Sequence, residues 1–108
     1  MSFIVVLITV PTHEIGLLIA DVLLDRKLAA CVNLVSPIHS VYSWQGSLQN
    51  DEETLLVVKS RADLFADQLV PAVQSIHPYQ VPEIIALPIV MGSPAYLDWM
   101  NESMTAER

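Results

Sequence analysis

The 108-residue sequence has a single cysteine, three glycines, and five lysines and arginines against twelve aspartates and glutamates. One thiol, Cys31, excludes an internal disulfide and any zinc ribbon or finger built from paired cysteines. So few glycines leave no P-loop and no glycine-rich dinucleotide loop, and no G-x-S-x-G nucleophile elbow occurs. The net charge is −7. Arg26, Lys27, Lys59, Arg61 and Arg108 are too few to build the basic stripe that displaces counterions from nucleic acid, and the acidic sign would repel an anionic membrane surface. The longest apolar run, Phe3 to Val10, has eight residues, no basic flank and Pro11 directly after it. That excludes a membrane span and argues against a signal peptide, so a soluble cytoplasmic protein in a reducing compartment is expected.

What remains is greasy. Apolar residues make up 53% and charged residues only 16%, far from a disordered composition. The length fits one domain, taken as residues 1–108. So much apolar content in so small a body implies burial against other copies.

Phe3 to Val10 is rich in β-branched residues, too short for a helix and apolar on both sides, so it reads as a buried strand. Thr12 is the expected N-cap of a helix whose Ile15, Leu18, Ile19, Val22 and Leu23 form one stripe, ending near Arg26-Lys27. Cys31 to Val35 and Ile38 to Trp44 are strand segments split by Ser36-Pro37. Tyr42 and Trp44 share one face, and Val41 and Ser43 the other. Gln45-Gly46-Ser47 marks a turn. Asp51-Glu52-Glu53 reads as a solvated hairpin edge and Thr54 to Val58 as the returning strand. Ser60 and Asp63 suggest a capping box for a second helix striped by Phe65, Leu69, Val73 and Ile76, which Pro71 should kink or break. Pro78 and Pro82 exclude helix from the following loop. Ile84 to Val90 is a strand that Pro88 assigns to an edge or a bulge. Ser93-Pro94 opens a last helix lined by Tyr96, Leu97, Met100 and Met104. The order β-α-β-β-α-β plus a terminal helix predicts an α+β, ferredoxin-like antiparallel sheet with a long β-hairpin. Its second face lacks a helical layer, and identical subunits are the simplest cover.

Several segments resemble the CutA family of divalent-cation tolerance proteins. They are Lys27 to Asn33, Ser40 to Gly46, Lys59, the string His77-Pro78-Tyr79-Gln80-Val81-Pro82-Glu83-Ile84, and Tyr96 to Trp99. The resemblance spans almost the whole chain in order. It implies a ferredoxin-like subunit in a tight homotrimer, similar in architecture to PII signalling proteins, with copper or other divalent-metal binding and no settled enzymatic reaction. Some members carry a cysteine near the end of the first strand, where this chain has Ile8, and a histidine before the His-Pro pair, where it has Ile76. Of that metal-binding set only His77 stands here.

His77 is therefore the first metal candidate, with Glu83 as a carboxylate partner, although one imidazole does not make a site. The structural alternative has His77 ending the second helix as a cation on its dipole. Glu83 either faces solvent or lines a cleft. Lys59 either pairs with it near one end of the sheet or receives an anionic ligand. Trp44, Tyr79 and Trp99 are candidates for subunit interfaces or a ligand cleft, interface packing being favoured for Trp44. Cys31, with no basic neighbour in sequence, reads as a small buried hydrophobe. His13 and His39 read as exposed or satisfied. No calcium or magnesium loop appears. The expected function is a homotrimeric divalent-cation tolerance protein that needs no cofactor, binds copper or another divalent metal weakly, and holds a small-ligand cleft between subunits. The alternatives are a trimeric partner-binding protein without physiological metal, and an enzyme using His77 and Glu83 as an acid–base pair.

Overall fold

A computed structural model describes residues 2–105, so Arg108 lies outside the described residues. Four strands, β1 (Phe3–Val10), β2 (Cys31–Trp44), β3 (Ser47–Arg61) and β4 (Ile84–Pro88), form one sheet in the order β2-β3-β1-β4, with every pairing antiparallel. Helix α1 (His13–Asp25) follows β1. A second helical stretch follows β3, and α4 (Pro94–Met104) closes the chain. This is the ferredoxin-like arrangement.

Burial alternates along β1, with Ile4, Val6, Ile8 and Val10 buried and Phe3, Val5, Leu7 and Thr9 only partly covered. The first set joins Leu56 and Val58 of β3, Ile19 and Leu23 of α1, Leu69 and Val73 of the second helical stretch, and Met100 and Met104 of α4 in a single core. The sheet therefore has one closed face and one open face. Gly16 lets α1 lie close to the closed face. A Cβ there would meet the side chains of Leu56 at 3.0 Å and Leu34 at 3.1 Å.

The N-cap of α1 is Thr12, whose Oγ1 accepts from the Ile15 N–H at 3.2 Å. The stripe expected on this helix needs one correction: Leu18 is 47% exposed, while Gly16 and Ala20 lie on the buried side with Ile19 and Leu23. The second helical stretch departs further. Ser60 is not a cap. It is the buried penultimate residue of β3, and its hydroxyl donates to the Leu28 carbonyl at 2.7 Å. Arg61 takes the cap position without a side-chain bond to the helix backbone. The stretch is divided into α2 (Ala62–Leu64), a π-helical segment Phe65–Leu69 and α3 (Val70–Gln74), with Pro71 just after the wide turn. A proline inside a helix lacks the N–H for the preceding turn and crowds its carbonyl, and a widened turn accommodates both defects. β4 ends at Pro88 rather than Val90, and the proline lies on the sheet edge as expected.

The hairpin is longer and more continuous than expected. β2 runs through Ser36-Pro37, and β3 begins at Ser47, so Asp51-Glu52-Glu53 lies within a strand. The turn holds only Gln45 and Gly46, at φ 51° and 80°. Both residues occupy the left-handed region that a two-residue hairpin loop with the right twist requires. β1 covers β3 only from Thr54 onward, so residues 47–53 pair with β2 alone as a two-stranded ribbon. That ribbon stretches the chain to 49 × 27 × 22 Å.

At fixed protein concentration, Ile19→Ala should cost about 2–5 kcal/mol in denaturant unfolding, whereas Leu18→Ala should cost less than about 1 kcal/mol. Equal costs would contradict this packing of α1.

Candidate functional site

Where β2 meets the ribbon, the pairing shifts by one residue: Val35 faces Leu55, but Ile38 faces Glu53. This bulge at Ser36-Pro37 exchanges the two faces of β2. Before it, the odd-numbered Cys31, Asn33 and Val35 share the open face with Lys59, Val57 and Leu55. After it, the even-numbered Ser40, Tyr42 and Trp44 lie on that side, opposite Asp51, Gln49 and Ser47. A groove of about 660 Å³ forms there. Thr9, Ser40, Val41, Tyr42, Trp44, Gln49, Asp51, Glu53, Tyr79, Val81 and Glu83 line it.

The loop after α3 roofs one end of this groove. The His77 Nε2–H donates to the Thr9 carbonyl at 2.8 Å, and its Nδ1 accepts from the Tyr79 N–H at 3.1 Å. The His77 ring is only 7% exposed and lies 4.8 Å from that of Tyr79, centroid to centroid. Tyr79 is thereby aimed at β3, where its hydroxyl donates to Glu53 Oε2 at 2.6 Å. On the ribbon, Tyr42 donates to Asp51 Oδ2 at 2.5 Å. Burial, the hydrogen bond to Glu53 and the charges of Glu53 and Asp51 push the Tyr79 phenol far above its ordinary value of 10.0. The bond to Asp51, burial and the same two charges raise the Tyr42 phenol as well.

Of the residues singled out in the sequence, the groove brings together Trp44, Tyr79 and Glu83. Lys59 and Trp99 lie elsewhere. Lys59 pairs across the sheet with Val5 and Cys31, while Glu83 lies beside the Ile8–Ile84 pair at the other end of β1. The expectation that Lys59 and Glu83 share one end is therefore corrected. Six residue steps along β3, roughly 20 Å of extended chain, separate Lys59 from Glu53. The Lys59 ammonium donates to Asn33 Oδ1. Cys31 is half-buried on the open face with Lys59 directly opposite, so it does have a basic neighbour, one that only the strand register supplies. Trp99 lies on the exposed side of α4, its ring 5.4 Å from that of Tyr96.

Asp51 and Glu53 belong to the site, and sequence reading missed them by treating the acidic triplet as a solvated edge. Glu52 fits that description, but Glu53 is only 8% exposed. The available signal was alternation: Gln49, Asp51 and Glu53 are every second residue, as one face of a strand requires. His13 is exposed and bonds to the Ser36 hydroxyl, which is 2.5 Å from that of Thr54.

These side chains do not fit a copper centre. Both His77 ring nitrogens are engaged with backbone groups, which also requires the neutral tautomer rather than a cation on the helix dipole. Among the described residues, no three His, Cys, Asp or Glu side chains converge as a metal site. No helix among them is long and apolar enough to cross a membrane.

A ferredoxin-like chain with one open sheet face, a projecting ribbon and a groove at their junction defines the class. Residues 4–103 match the family described as CutA1 divalent ion tolerance protein. The chain is 50% identical over 99 residues to the divalent-cation tolerance protein CutA of Thermus thermophilus, covering 92% of this chain and 95% of that one. It is 49% identical over 100 residues to the chloroplastic protein CutA of Arabidopsis thaliana, covering 93% of this chain and 54% of that one, so it spans about half the length of this plant relative. The crystal structure of CutA1 from Oryza sativa superposes with a TM-score of 0.94, with 46% identity over 99% of this chain and 97% of that one. The chain belongs to the CutA1 divalent ion tolerance family.

The raised phenols carry a pH consequence. An acid whose folded pKa exceeds its unfolded value contributes stability that is complete below the unfolded value and is lost as pH rises through the folded one. Unfolding should therefore become easier above about pH 10, where the unfolded chain releases protons that Tyr79 and Tyr42 retain in the native state. Tyr79→Phe should flatten that decline and remove the latest step of a tyrosinate absorbance titration. An unchanged slope and titration would contradict the Tyr79–Glu53 bond.

Proposed function

We propose that this protein serves divalent-cation tolerance as a homotrimer that binds a small ligand in the groove at the subunit seams. Copper or another divalent metal is a weak guest rather than a resident cofactor. The observation that carries the reading is the junction itself: the roofed groove opens where an uncovered apolar sheet face meets an unsupported ribbon.

Both neighbouring surfaces call for a partner. Val5, Leu7, Leu55 and Val57 are only partly covered on the open face, and Val35, Ile85 and Leu87 are exposed. A two-stranded ribbon is marginal alone, and this one displays Val41, Trp44 and Leu48, with Leu48 79% exposed. Other copies of the chain cover such surfaces at the lowest cost in specificity. The groove would then lie beside or between subunits, with Trp44 and Tyr79 serving both packing and ligand contact, and Trp99 and Lys59 available to neighbours. Its acidic lining is unsuited to nucleic acid. A reducing compartment such as the cytoplasm would keep Cys31 as a thiol.

The acid–base enzyme reading is not adopted, because His77 has no free ring nitrogen to exchange a proton with a substrate, while Glu83 is exposed on the rim.

Sedimentation at micromolar concentration should give about three times the 12.0 kDa subunit mass. A monomer would overturn the proposal. Calorimetric titration with copper should show weak binding that His77→Gln changes by less than about twofold. Stoichiometric tight binding abolished by that substitution would restore His77 as a ligand.

A further inference from the structure

We propose that the occupant of the groove is a small organic ammonium ion, its nitrogen held by Glu53 and Glu83 and its apolar body lying against Trp44 and Tyr79. This inference rests on the reading of the groove as a ligand cleft and specifies the chemistry of the guest.

The strongest pointer is Glu53. It is more than nine-tenths buried, yet its only side-chain partner among the described residues is the neutral phenol of Tyr79, bound to Oε2. Oε1 has no side-chain hydrogen bond there and stays open to the groove, since no sealed side-chain oxygen among the described residues lacks a partner, and Glu53 lines the groove. Burying a carboxylate is costly unless positive charge or several donors compensate it. The groove itself supplies neither. Asp51 and Glu83 add two more carboxylates, and among the described residues no lysine or arginine lines the cavity. The nearest basic side chains of β3 are committed elsewhere, Lys59 to Asn33 and Arg61 to Asp63 and Asn101. The elevated phenols of Tyr79 and Tyr42 register the same negative field.

Charge alone would also suit a metal ion, but the dimensions and the walls do not. A cavity of about 660 Å³ is of small-molecule size, far larger than one ion with its ligands. No chelating group of three converges among the described residues. Tyr42, Trp44 and Tyr79 offer aromatic faces, which attract organic cations and give nothing to an anion. Carboxylates for the nitrogen and rings for the carbon body together select an amine.

The test uses the full chain in its assembled state and three probes with the same ring but different charge: benzylammonium, benzyl alcohol and benzoate. Chemical-shift titration should place benzylammonium on Trp44 and Tyr79, at least about tenfold tighter than benzyl alcohol, with no binding of benzoate. Glu53→Gln keeps an acceptor for Tyr79 and should reduce the preference for benzylammonium over the alcohol to within about twofold. Glu83→Gln, an exposed change that leaves the core untouched, should weaken benzylammonium alone. Trp44→Leu should weaken both benzylammonium and the alcohol. If the alcohol binds in the groove as tightly as the ammonium, or if neither carboxylate substitution matters, the ammonium inference fails while the cleft survives. If no probe shifts any groove residue at millimolar concentration, both the inference and the cleft reading fail. Equal displacement of benzylammonium by magnesium and by a second amine would assign the site to cations in general and overturn the organic specificity.

Discussion

A single extra residue in β2 decides which side chains the open face of this chain presents. Strand side chains alternate with a period of two, so the bulge at Ser36-Pro37 transfers the remainder of β2 from one parity to the other. Upstream, the open face presents Cys31, Asn33 and Val35. Downstream, it presents Ser40, Tyr42 and Trp44. Without the shift, His39, Val41 and Ser43 would face Asp51 and Gln49 instead, and the groove would lose its aromatic wall. The same insertion marks the boundary between the sheet and the ribbon, because Thr54 is the first residue of β3 paired with β1.

The loop from His77 to Glu83 depends on this arrangement and completes it. Two prolines deny it regular structure, so its place is set by side chains and backbone polar groups acting together. His77 is the pivot. One ring nitrogen anchors the loop to the end of β1, and the other orients the backbone of Tyr79. The phenol then reaches Glu53 and covers a carboxylate that the sheet would otherwise leave open to water. His77 thus fastens the loop, and its contribution to the groove is the position of Tyr79.

Much of the fold was legible because local rules and tertiary packing agreed. The apolar run of β1, the Thr12 cap, the Gln45-Gly46 turn and the edge position of Pro88 each follow from nearest-neighbour chemistry. The ferredoxin-like order of elements followed from them. Ser60-x-x-Asp63 misled because a capping pattern records only local preference. The demand of the Leu28 carbonyl for a buried donor drew Ser60 into the strand instead. The site was less legible for the same reason. Glu53 is buried by a tyrosine 26 positions away. Lys59 is distant from Glu83 and close to Cys31 only through strand register. Trp44, Tyr79 and Glu83 could be named in the sequence, but their meeting depends on a bulge whose only trace is a serine followed by proline.

The ribbon of residues 47–53 leaves backbone donors and acceptors of β3 without a partner on the β1 side. A newly made chain therefore starts life adhesive, with hydrogen-bonding valence to spare beside an oily plane. An unguarded edge of this kind is a template for any strand that meets it, whichever chain that strand comes from. Crowding therefore acts on this molecule through its backbone as much as through its side chains.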